Sequence, residues 1–108
     1  MAKPLQHQII ARALELISDE ARWTRGAMAR TADGRPCGCL DPLAARFCAV
    51  GALHRAAAEL IGAHVFERVV EAEEFVLTAN KSVFGLPCVN DIEGREAVIA
   101  MFKVALAN

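Results

Sequence analysis

The stretch that most constrains this chain is "DPLAARFCAVGALHRAAAELIG", Asp41 to Gly62, an alanine-rich run opened by Asp-Pro and closed by glycine. Asp before Pro gives an N-cap followed by a first-turn proline, and glycine after the last periodic residue is a helix stop. At 100° per residue Leu43, Phe47, Val50, His54, Ala57 and Ile61 form one stripe about 80° wide. The pattern therefore predicts one continuous helix from Asp41 to about Ile61. His54 lies inside the apolar stripe and Cys48 well off it. Six residues separate them, about 9 Å along a straight helix, whereas side chains that meet are three or four apart. A Cys48–His54 nucleophile–base pair is excluded on that geometry.

Other segments carry the same period. Leu5–Ile17 places Leu5, Ile9, Ile10, Ala13, Leu14, Leu16 and Ile17 on one side, with Pro4 at the first turn. A third helix is expected from about Val65 to Val83, broken by "FGLPCVN", and a fourth from about Ile92 to Leu106, capped by Asn90 or Asp91. Between Ala21 and Leu40 the period fails, and "TADGRPCGC" reads as loop. The expected fold is all-α in one domain over residues 1–108. It is a four-helix bundle or orthogonal helical array with a long ordered loop between helices 1 and 2.

Twenty-one alanines in 108 residues suit close helix contacts, and the 55% apolar content exceeds the usual range. Mean hydropathy of +0.29 is high for a domain that must leave much of its surface in water. Self-association burying a helix face is the expectation, with an unidentified protein or small molecule as the other partner class. A net charge of −1 disfavours general nucleic-acid binding. The charge is unevenly spread: residues 1–55 carry eight Lys and Arg against five acids, and residues 56–108 four against eight. No run has the ~18 apolar residues of a membrane span, and "MAKPLQHQII" lacks an export signal. The four cysteines are then expected reduced, in the cytoplasm.

For chemistry the candidates are few. Cys48 reads as a small buried hydrophobe, the alternative being a thiol nucleophile supported by Asp91 and a base from another segment. His54 reads as a core histidine. Glu73 and Asn80 fall in the apolar arc of the third helix, so a buried polar cluster of His54, Glu73 and Asn80 is an expectation, set against a Glu73 that leans to solvent. Trp23, with Arg22, Arg25, Arg30 and Arg35 around it, is a candidate binding loop. "CGC" at 37–39 is too short for a zinc knuckle, no metal is expected, and no phosphate loop, dinucleotide fingerprint or serine elbow occurs. No cofactor is expected.

"RWTRGAMARTADG", "ARFCAVGALHRA" and "VNDIEGREAVIAMFKVAL" together resemble a family of small bacterial and phage proteins classed as a domain of unknown function. The shared positions are Trp23, Gly26 and Ala29, then Phe47, Cys48, Gly51 and Leu53, then Asn90, Asp91 and Gly94. The resemblance covers the chain from about Leu5 onward and implies an independent helical domain without a known activity. Were the shared positions a site, Trp23, Cys48, Asn90 and Asp91 would have to converge.

Overall fold

The computed structural model describes residues 3–62 and 65–108. Among the described residues five α-helices and a three-stranded antiparallel sheet make an α+β fold, which corrects the all-α expectation. α1 spans Leu5–Ile17 and buries Ile9, Ile10, Ala13, Leu16 and Ile17, the face its period selects. Pro4 is its N-cap rather than a first-turn residue, and its carbonyl accepts the Gln8 N–H at 3.1 Å.

The region read as a loop is the sheet. β1 (Ala29–Thr31) pairs with β2 (Pro36–Cys37) across a turn in which Gly34 holds φ +91°, the conformation glycine supplies without strain. Asp-Gly is a hairpin signal as well as a loop signal, and here the hairpin reading wins. β3 (Ala44–Phe47) adds on the other side of β1, giving the order β2-β1-β3. The register sets Ala29 beside Phe47 and Arg30 beside Arg46, then slips by one residue before Thr31 meets Ala44.

β3 takes four residues from the expected second helix. Asp41 does not cap a helix: its carboxylate accepts the N–H of Leu43 at 2.8 Å in a local turn. The alanines at 44 and 45 favour helix, but β1 offers a backbone ladder, and that pairing outweighs a propensity worth tenths of a kcal/mol per residue. Leu43, placed in the core stripe by periodicity, is 71% exposed.

α2 (Ala49–Ile61) therefore begins at Cys48, which is its N-cap with extended backbone, and ends at Gly62 in the left-handed region as expected. Ala49, Ala52, Ala56 and Ala57 are fully buried, letting α1 and α3 approach closely. Arg12 of α1 and Glu59 of α2 pair at 2.7 Å across the outside of that contact. α3 (Val65–Ala79) stops before the expected Val83, with Lys81 turned to φ +52°. A short helical segment follows, α4 (Leu86–Cys88) running into a π turn over Val89–Glu93, and then α5 (Arg95–Leu106). Gly94, not Asn90 or Asp91, occupies the N-cap of α5. Arg95 donates from Nη1 to the carbonyls of Ile17 at 3.3 Å and Ser18 at 2.8 Å, satisfying acceptors that the end of α1 leaves open.

Leu53, Val76, Leu86, Val98 and Phe102 close the core between α1, α2, α3 and α5, while Phe47 and Ala29 bring the sheet against it. No helix among the described residues is long and apolar enough to cross a membrane.

Candidate functional site

Three of the residues that would have to converge, Trp23, Asn90 and Asp91, are joined by hydrogen bonds, with Cys48 beside them, and the element that gathers them is the π turn. Its extra residue per turn swings Asn90 inward, where it is 0% exposed. Asn90 Oδ1 accepts from the indole Nε1 of Trp23 at 2.8 Å and from the N–H of Ala49, the first residue of α2, at 3.0 Å. Nδ2 donates to the carbonyl of Thr24 at 3.1 Å and to Oδ1 of Asp91 at 3.1 Å. Both lone pairs and both N–H groups of the amide are used.

Asp91 extends the network outward. Its Oδ1 also accepts the N–H of Gly26 at 3.1 Å, and its carbonyl accepts Arg25 Nη1 at 3.0 Å. The Arg25 guanidinium lies 5.0 Å over the Trp23 ring, a cation–π arrangement that flattens the loop onto the π turn. Thr24 joins the sheet by donating its N–H to Phe47 O at 3.1 Å, and its hydroxyl accepts Arg30 Nε at 3.0 Å. The Trp23 loop, β3, the start of α2 and the π turn are thus tied through one buried amide.

Cys48 sits at the edge of this cluster. It is an N-cap and not mid-helix, so backbone N–H groups do point at the sulfur: Gly51 donates to Sγ at 3.3 Å. Burial pushes the thiol pKa up, the Gly51 and Val50 amides oppose the shift without overcoming it, and the charge on Asp91 adds to it. A nucleophilic thiol needs the opposite balance. The approach of sheet to helix is closest here. Met28 O accepts the Cys48 N–H at 3.1 Å and lies over Gly51, where a Cβ would stand 1.9 Å from it. Gly51 admits the backbone that leads into β1.

The second expected cluster does not form. Asn80 Nδ2 donates to the carbonyls of Val76 at 2.8 Å and Met101 at 3.0 Å, joining α3 to α5. His54 faces Phe66, ring centroids 6.4 Å apart, and burial lowers its pKa. Glu73 is half-buried, and among the described residues no hydrogen bond or ion pair joins it to His54, Asn80 or an arginine. Burial raises its pKa, helped by Glu74. A folded pKa above the unfolded value means that this group favours folding below about pH 4.5 and loses that contribution as pH rises through the folded pKa. Glu73→Gln is accordingly expected to melt above the wild type at pH 7 and to match it at pH 4; a melting temperature unchanged at both would contradict the buried charge.

Cys37 and Cys39 are half-buried and Cys88 is exposed, all as free thiols. Among the described residues no three of His, Cys, Asp and Glu are grouped to hold a metal. A shallow cleft of about 410 Å³ opens beside the Trp23 loop, lined by Arg25 and Arg95 but also by Glu20, Glu93 and Glu96. That mixed charge gives it no preference for an anion.

The arrangement defines a small α+β domain whose shared polar residues are spent on internal ties. The chain belongs to the family of unknown function DUF6197, whose pattern matches residues 1–108. No curated protein and no solved structure matches it. Thr24 and Met28 carry no signal in the sequence pattern. Both act through backbone carbonyls, and a carbonyl's role is silent in residue type.

Proposed function

We propose that this protein is a non-enzymatic interaction module, working by presenting a surface to a partner. The observation that carries this reading is the saturation of Asn90. The amide that gathers Trp23, Thr24, Asp91 and the start of α2 has no hydrogen-bonding position left for a substrate. A reactive centre needs groups that are aimed and unspent. The surface supports the reading from the other side, since Val83 and Phe84, ahead of α4, and Ile92, in the π turn, lie largely in water. Four free cysteines suit a reducing cytoplasm.

One observation favours the rival, a thiol-dependent enzyme: Cys48 occupies a helix N-terminus, where thiol pKa values fall in reactive cysteines. Here desolvation dominates, because the thiol is 7% exposed. Timed labelling with a chromogenic disulfide at neutral pH, with peptide mapping, separates the two. Cys48 is expected to be modified only as the chain unfolds. Native Cys48 reacting at the rate of a solvated thiol would establish the thiol reading instead.

A further inference from the structure

Cys88 and Ile92 of the α4–π segment (Leu86–Glu93) and Phe84, two residues ahead of it, line a groove of about 210 Å³ together with Glu93. Leu86 and Val89, on the opposite side, are buried and anchor the segment in the core. The stripe stands in water: Phe84 is 60% exposed, Ile92 76%, and neighbouring Val83 89%. Ser82 fixes its leading edge, its hydroxyl donating to Phe84 O at 2.8 Å and accepting the Phe84 N–H at 3.3 Å. A large apolar side chain held in place on the surface, rather than folded inward, is a feature of contact surfaces.

We infer that a second copy of this chain docks on this stripe, the two stripes antiparallel about a two-fold axis at Cys88. This rests on the interaction-module reading. The stripe is self-complementary: with Cys88 at the axis, Phe84 of one copy meets Ile92 of the partner subunit, and the reverse pair forms by symmetry. Charge fixes the direction. Lys81 precedes the Phe84 end, while Asp91 and Glu93 stand at the Ile92 end, all three exposed. Antiparallel docking brings Lys81 toward Glu93 of the partner subunit; parallel docking would stack like charges on each other.

Light scattering on the full chain tests the inference. The expected mass is twice 11.6 kDa, falling to the single-chain value in Ile92→Asp with a cooperative melting transition retained, and staying doubled in Leu43→Asp, whose site is exposed elsewhere on the surface. A short bis-maleimide should join two wild-type chains through Cys88 and leave Cys88→Ser unjoined. Glu93→Lys should weaken the dimer at least tenfold, and adding Lys81→Glu should restore it. A single-chain mass at every concentration, a dimer that survives Ile92→Asp, or a dimer not joined at Cys88 would each overturn the proposal. The thiol labelling above is independent: a monomer with inert Cys48 removes only the dimer, whereas a reactive Cys48 removes the interaction reading itself.

Discussion

Gly51→Ala is expected to be the most damaging small substitution in the molecule. A Cβ on residue 51 would stand 1.9 Å from Met28 O and 2.9 Å from Met28 C. Both are backbone atoms, and the carbonyl is already engaged as acceptor for the Cys48 N–H. No rotamer change relieves the clash. β1 must move off the first turn of α2, which breaks that hydrogen bond and strains the register between Ala29 and Phe47. Overpacking by one methyl costs ~1–3 kcal/mol where side chains can adapt, and here a backbone segment has to yield, so a loss of at least ~3 kcal/mol follows. For a domain of this size that is a drop of roughly 15 °C in melting temperature. On intrinsic propensity alone alanine should stabilise a helix over glycine by ~1 kcal/mol. The sign of the measured change therefore decides between close approach and helix propensity: a melting temperature equal to or above the wild type would show that the strand does not sit on the helix.

Asn90→Ala should cost about as much, by a different route. It removes four hydrogen bonds and leaves Trp23 Nε1, the Ala49 N–H and the Thr24 carbonyl without their partner in a buried site. Each orphaned group costs ~1–3 kcal/mol, so a total of ~3–9 kcal/mol follows, a large part of the 5–15 kcal/mol by which domains are stable. Denaturant unfolding measures the loss, and Trp23 fluorescence shifting toward that of a solvated indole reports its locus. Asn90→Asp keeps both acceptors, but it has no N–H for Thr24 and sets a buried carboxylate against Asp91. Its pKa would be raised, so the variant should recover stability as pH falls toward the unfolded carboxylate value and lose it again on the way to neutrality. A wild-type-like Asn90→Ala would mean that the amide holds nothing together.

The extent to which the chain could be read beforehand differs from element to element. α1 is legible in full because its apolar face repeats every turn and nothing competes with it. Gly62 is legible because a left-handed C-terminal residue is a local demand. Residues 44–47 are not, since alanine-rich sequence accepts helix or strand and the partner that decides lies thirteen or more residues upstream. The misplaced helix start then misplaced Cys48, which changed from a mid-helix thiol to an N-cap. Glu73 shows the limit of periodicity: it gives a direction around one helix, where the carboxylate is half-buried, and no distance to a partner on the next.

What the sequence determined by itself is therefore whatever depends on neighbours three or four residues away: the faces of the long helices, the glycine stop, the Asp-Gly turn. Only the tertiary structure decided the sheet, the beginning of α2 and the role of Asn90. Those rest on hydrogen bonds between segments 41 to 67 residues apart for the amide, and between strands for the ladder. Their energy comes from desolvated backbone groups finding partners, and backbone groups are the same in every residue, so the letters of the sequence carry little record of which ones meet.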